Sequence, residues 1–188
     1  MKLIFTVAMI LGTGFLYAQT TSASSIPSDA ANLAKLEQQV QASPGSRPAL
    51  IGYLAMLAIK AGDQTKANLY GLEALSNAAA PGPNQAVQSF YGNEVLGIIA
   101  MKQGNLEMAK TYLLASGRTK GNAIMAQFGP NMLLAKMLLD AGQKETVLEF
   151  LTSCTGLWTS GGNTLAQWRG AIREGAVPDF GRYLVMMP

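Results

Sequence analysis

A short punctuation mark recurs along this chain: Ala61-Gly62-Asp63, then Gln103-Gly104-Asn105, then Ala141-Gly142-Gln143. Each copy follows one apolar run of helical period and precedes another. Glycine ends a helix in the left-handed backbone region without the Cβ clash other residues meet there. The polar residue after it predicts a cap for the next helix, because Asp63 and Asn105 can accept from the free N–H groups of its first turn. Gln143 is a weaker cap, so the third junction is the least regular of the set. Three copies of helix, turn and helix make three antiparallel helical hairpins, and the chain reads as all-α.

Small residues keep step with the turns. Seven positions before each turn glycine stand Ala55, Gly97 and Ala135; five after it, Ala67, Ala109 and Val147; twelve after it, Ala74, Ser116 and Cys154. Such positions let helices approach closely, while Leu54, Leu96 and Leu134 fill the seams between them. Gly97 costs roughly 1 kcal/mol of helix propensity relative to alanine, which close packing can offset.

Flanking elements complete the pattern. Leu33, Leu36 and Val40 in "DAANLAKLEQQVQ" predict a first helix capped by Ser28 or Asp29, and Pro48 suits the first turn of the next. "TLAQWRGAIREG" predicts a last amphipathic helix with Trp168 and Ile172 on one face. "AVPDFGRYLVMMP" reads as an extended tail, and residues 117–129 as a long loop whose final Gly129-Pro130 starts the third hairpin. Trp158 and Trp168 read as buried anchors.

The spacing Leu96-Gly97, Gly104-Asn105, Ala109, Ser116, with weaker copies from Leu54-Ala55 and Leu134-Ala135, resembles the tetratricopeptide repeat family. The likeness covers about residues 48–155. Two features depart from the family pattern. The turn glycines stand 42 and 38 residues apart, against a family period of 34, and Ile51, Asn93 and Asn131 stand where the family's tryptophan would. The resemblance implies a right-handed α-solenoid of about three hairpins with flanking helices. The segments "LLASGRTKG", "FGPNMLLAKMLLDAGQKETVLEFL" and "GAVPDFGRYL" also resemble uncharacterised exported bacterial proteins with helices of this kind. That likeness suggests a bacterial source and brings no activity with it.

The first residues predict export. Lys2, an apolar run from Leu3 to Leu16 and a small residue at Ala18 form the pattern of a cleaved secretory signal over residues 1–18. Residues 19–28, small and polar with Pro27, read as a flexible linker, and 29–188 as the helical-repeat domain. The expected location is periplasmic or secreted, with an uncleaved signal anchor as the alternative and the only membrane attachment expected.

Composition narrows the chemistry. The 188 residues include no histidine and one cysteine, Cys154. Serine–histidine and cysteine–histidine catalysis have no base, and zinc sites lack their usual ligands. No phosphate-cradling or nucleophile-elbow glycine motif is present. Glu145 and Glu149 share a helix face, but acids near a helix N-terminus are ordinary surface charge. Fourteen Lys and Arg against eleven Asp and Glu give a net charge of +3, scattered along the chain and unlike a nucleic-acid stripe. No enzyme activity, cofactor or metal is expected.

A partner groove remains. Carrying the family's concave-face positions onto this chain gives Met56, Ile59 and Lys60 from the first hairpin. The second gives Tyr91, Glu94, Ile98, Met101 and Lys102, and the third gives Met132, Lys136 and Leu139. An apolar, Met-rich groove edged by lysine suits a protein or peptide segment with an acidic group, with Tyr91 and Met101 at its centre. The family's carboxylate-clamp asparagines are absent, their inner positions being Tyr53, Val95 and Leu133. Arg118 and Lys120 in the long loop offer contacts to an anion. The expected function is therefore a non-enzymatic, peptide-binding adaptor or scaffold. Its rivals are a structural or self-associating envelope protein and a small-ligand binder using the 117–129 loop.

Overall fold

A computed structural model describes residues 28–184, and the leader and linker expected over 1–28 lie outside it save for Ser28. Among the described residues, nine α-helices run in the order α1 Asp29–Ala42, α2 Arg47–Lys60, α3 Gln64–Ala78, α4 Gln85–Lys102, α5 Leu106–Gly117, α6 Ala123–Phe128, α7 Leu133–Asp140, α8 Lys144–Leu157 and α9 Gly162–Arg173. No strand occurs among the described residues, and no described helix is long and apolar enough to cross a membrane.

The punctuation works as its chemistry requires. Gly62, Gly104 and Gly142 have φ of 77°, 75° and 76°, the left-handed region a Cβ disfavours. Asp63 Oδ1 accepts from Lys66 N at 2.9 Å and Asn105 Oδ1 from Met108 N at 3.1 Å. The Gln143 side chain makes no such bond. Ser28 caps α1 by accepting from Ala31 N, and a proline stands in the first turn of α2.

The small positions lie where helices meet. Ala55, Ala67, Ala74, Ala109, Ser116, Ala135, Val147 and Cys154 are fully buried. Helix α2 packs on α3 and α4, α4 on α3, α5 and α7, and α8 on α5, α7 and α9. Gly97 marks the α4–α7 crossing: a Cβ there would lie 2.2 Å from Leu134 Cδ2. The helix tolerates the glycine because this contact leaves no room for a methyl group.

Helix α1 is tied to the hairpin beyond it by polar contacts. Glu37 accepts from the Tyr70 hydroxyl at 2.7 Å and from Lys66 Nζ at 2.9 Å, and the Lys66 hydrogen bond holds its carboxyl below the usual range. Arg47 at the start of α2 grips Glu73 of α3 through two parallel bonds of 2.6 Å.

The C-terminal part differs from its sequence expectation in three places. Residues 123–128, expected within a loop, form α6, with Asn122 Oδ1 accepting from Met125 N at 2.9 Å. Gly129 ends α6 at φ 85° instead of opening the third hairpin. Helix α7 starts only at Leu133, whose N–H is taken by Asn131 Oδ1 at 2.8 Å. The tail turns back rather than running extended: Met132 N donates to Tyr183 O at 2.7 Å and Phe180 is buried. Tyr183 packs on Trp158 and Trp168 at centroid distances of 4.9 and 5.2 Å, and Phe180 lies edge-on to Trp168. The two tryptophans are buried anchors.

Candidate groove on helices α1, α2, α4 and α6

Four helices each turn one stripe of side chains toward a shared depression. On α1 these are Asp29, Asn32, Leu36 and Gln39; on α2, Leu50, Tyr53, Leu57 and Lys60. On α4 they are Val87 and Tyr91, and on α6 Ile124 and Phe128. Every spacing is three or four residues, which keeps side chains on one helical face. The depression consists of two clefts that share Tyr53 and Ile124, one of about 540 Å³ beside α1 and one of about 260 Å³ beside Tyr183.

The two clefts differ in charge. Asp29, Lys35 and Lys60 edge the larger one, with Lys60 Nζ 3.9 Å from Asp29 Oδ1. Among the described residues, no charged side chain stands in the wall of the smaller one. Tyr53 and Tyr91 meet at its floor with ring centroids 5.3 Å apart. Burial pushes both hydroxyls above the usual phenol range, so each remains a protonated donor across neutral pH. Ile124 and Phe128 are 53% and 39% exposed, a large apolar surface for a helix of 6 residues.

The residues expected to line a concave face divide. Tyr91 and Lys60 line the depression. Met56, Ile59, Ile98 and Met132 are buried in the core, which withdraws their side chains from any partner at the surface. Met101 and Leu139 are half-buried against that core, and Lys102 is exposed at the end of α4. Lys136 reaches Asp140 at 2.7 Å. Arg118 and Lys120 line a separate polar cleft of about 500 Å³ beside Gly82-Pro83, where Arg118 lies 3.3 Å from Glu149.

Glu94 is the unusual member. It is completely buried, Oε1 accepts from Leu134 N at 3.1 Å, and Oε2 has no partner among the described residues. It thus caps the start of α7 from α4. Burial pushes its carboxyl up to about 8, opposed by the Leu134 hydrogen bond, so the group is largely protonated at neutral pH. Cys154, also buried, has its thiol pushed up chiefly by burial and further by Glu94.

Leu36, Leu50, Leu57, Phe128 and Tyr183 were absent from the sequence reading of the groove, as was Ile124. The signal available was Asn122 as a cap followed by Ile124 and Phe128 at helical spacing. Among the described residues no group of three or more Cys, Asp or Glu side chains is placed to hold a metal ion.

Compared with models of protein families, the chain matches none. Compared with curated proteins, it again has no match. No solved structure matches it either.

Proposed function

We propose that this chain is an exported, non-enzymatic adaptor that docks an apolar segment of a partner protein in the α1/α2/α4/α6 groove. The observation that carries the reading is the continuity of the two clefts through Tyr53 and Ile124, with Ile124 and Phe128 open to solvent at the mouth. Apolar walls with a few fixed hydroxyl donors suit an extended or helical peptide. Lys35 and Lys60 at one end favour a partner with an acidic group on that side. In the same proposal, the hairpins stack as a right-handed, tetratricopeptide-like solenoid, supported by the recurring glycine turns and the small buried positions. Export is supported by the signal pattern over residues 1–18.

Selection of a random peptide library on residues 19–188 tests the groove. Enriched peptides should be rich in large apolar residues and lose at least about tenfold in affinity to Ile124→Asp, equivalent to about 1.4 kcal/mol. Ile124 is exposed, so the variant should fold. Enriched peptides indifferent to Ile124→Asp would refute the groove as the docking surface, as would a selection that enriches nothing.

A further inference from the structure

One buried carboxyl holds the helix start from which a wall of the groove hangs. Glu94 Oε1 accepts from Leu134 N at 3.1 Å, so a side chain of α4 caps the first turn of α7. The residues just before that turn belong to the smaller cleft. Asn131 Oδ1 accepts from Leu133 N at 2.8 Å, and Met132 N donates to Tyr183 O at 2.7 Å. Pro130, Asn131 and Tyr183 are all part of the cleft wall, and Tyr91, three residues before Glu94 on α4, lies on its floor.

Nothing around Glu94 offsets a charge on it. Arg47 and Lys60 of α2, Lys66 of α3, Lys110 of α5 and Lys136 of α7 each reach a carboxylate other than Glu94, at 3.9 Å or less. Lys102 is exposed at the far end of α4, and Lys144 of α8 donates to Arg173 O. The titratable groups that act with Glu94 are Tyr91 and, on α8, Cys154, both kept neutral by burial. Tyr112 of α5 lies beside Gly97, three residues on. An ionised Glu94 is a better acceptor for Leu134 N, but one hydrogen bond does not offset dehydration of the charge, and burial is the larger of the two effects here. The charge is relieved when water reaches Oε2. Helix α4 is packed on α2, α3, α5 and α7, so the part free to give way is the short α7 and the stretch before it.

We propose that Glu94 is a proton-operated latch on the groove: protonated, it holds the start of α7 and the cleft wall attached to it, and ionised, it releases them. The inference rests on the groove being a docking surface and adds how that surface is regulated. The sign follows from proton binding. A released, hydrated carboxyl titrates near 4.5, whereas the held one is pushed up to about 8. Between those values the released form binds fewer protons, so rising pH favours it, by at most about tenfold per pH unit for one proton. Above about pH 8 the effect levels off. A partner that needs the held wall loses affinity in proportion to the released fraction, so docking is tightest in acid.

Hydrogen exchange of the parent chain and of Glu94→Gln, at pH 6 and pH 8, tests the latch without a partner. At each amide the ratio of the two rates cancels the intrinsic effect of pH. For residues 132–135 the parent-to-variant ratio should climb at least about tenfold from pH 6 to pH 8, while in α2 it should change by less than about twofold. A flat ratio at 132–135 overturns the inference, as does an equal rise in α2, which marks global unfolding. Glu94→Met, neutral and of similar length, is the reference should Glu94→Gln fail to fold. Library-selected peptides separate this inference from the adaptor reading: they should bind the parent at least about threefold more weakly at pH 8 than at pH 6, and Glu94→Gln equally at both. Peptides that bind the parent equally at both pH values overturn the latch and leave the adaptor intact. If the exchange ratio climbs and no peptide binds either chain, the latch acts on the wall alone and the adaptor reading fails instead.

Discussion

From Arg47 to Gly117 the molecule is built by repetition; from Arg118 to Leu184 it is built by individual contacts. In the first region two hairpins, α2–α3 and α4–α5, use the same left-handed glycine followed by the same kind of capping oxygen. Their helices meet through alanines and glycines at matching positions. In the second region a short helix, a late helix start and a returning tail are held by an aromatic cluster. Trp158 Nε1 donates to Ser160 Oγ at 3.0 Å, and that hydroxyl donates to Ala126 O at 2.9 Å, tying the cluster to α6. Repetition needs only small residues at fixed intervals, whereas the second region depends on a few large rings each making several contacts.

The sharpest way to break this contrast is Trp158→Ala. Removing a buried indole costs about 3–5 kcal/mol, here with loss of the Tyr183 and Trp168 packing and the link through Ser160. In hydrogen exchange, amides of α6 should lose protection while those of α2 and α3 keep most of theirs. Equal loss across both regions would mean that they open as one unit.

A smaller effect, and one with a sign, sits at the seam between them. Glu94 of α4 is protonated up to about pH 8 when folded and has an ordinary carboxyl, near 4.5, when unfolded. Between those values the folded chain binds more protons than the unfolded one, so stability falls as pH rises through that window. Glu94→Gln keeps an acceptor for Leu134 N and removes the titration. The variant should therefore gain on the parent between pH 5 and pH 9 by at least about 1.4 kcal/mol, the worth of one pKa unit. Urea unfolding of both proteins at the two pH values measures the gain, and parallel profiles would rule the buried charge out.

The smallest effect separates the turns themselves. Asn105→Ala should cost about 1 kcal/mol, a lost N-cap, because Met108 N loses its acceptor. Gln143→Ala should change stability by less than about 0.5 kcal/mol, since that side chain accepts from no N–H of α8 and makes only an exposed bond to Ala141 O at 3.1 Å. Urea midpoints of the two variants decide it, and similar losses would mean that the third turn is as well capped as the second.

Legibility in the sequence follows the same division. The hairpins, their turn glycines, their caps and the buried positions of Ala55, Ala67 and Ala109 could be read because each rests on local backbone chemistry repeated at intervals. The groove could be read only in part. Family spacing placed Met56 of α2 and Ile98 of α4 on an open face, but α2 packs against α1, α3 and α4, and α4 against α2, α3, α5 and α7, and such helices have little surface left to offer. Helix α6 was missed because six residues make too short a stretch for a periodic signal, and Gly129-Pro130 serves equally as an end or a beginning. The return of the tail depends on rings from three separate segments meeting, which no local pattern encodes.

Cys154 has a consequence for watching this molecule move. It is the sole sulfhydryl in the chain, lies fully buried on α8, and has its thiol kept protonated by its surroundings. Since the thiolate is the reactive form, a thiol reagent gains access only when α8 lifts away from its neighbours. The rate of labelling under native conditions is then a single-atom clock for local opening, built into the natural sequence at the layer where the repeated and the irregular regions are joined.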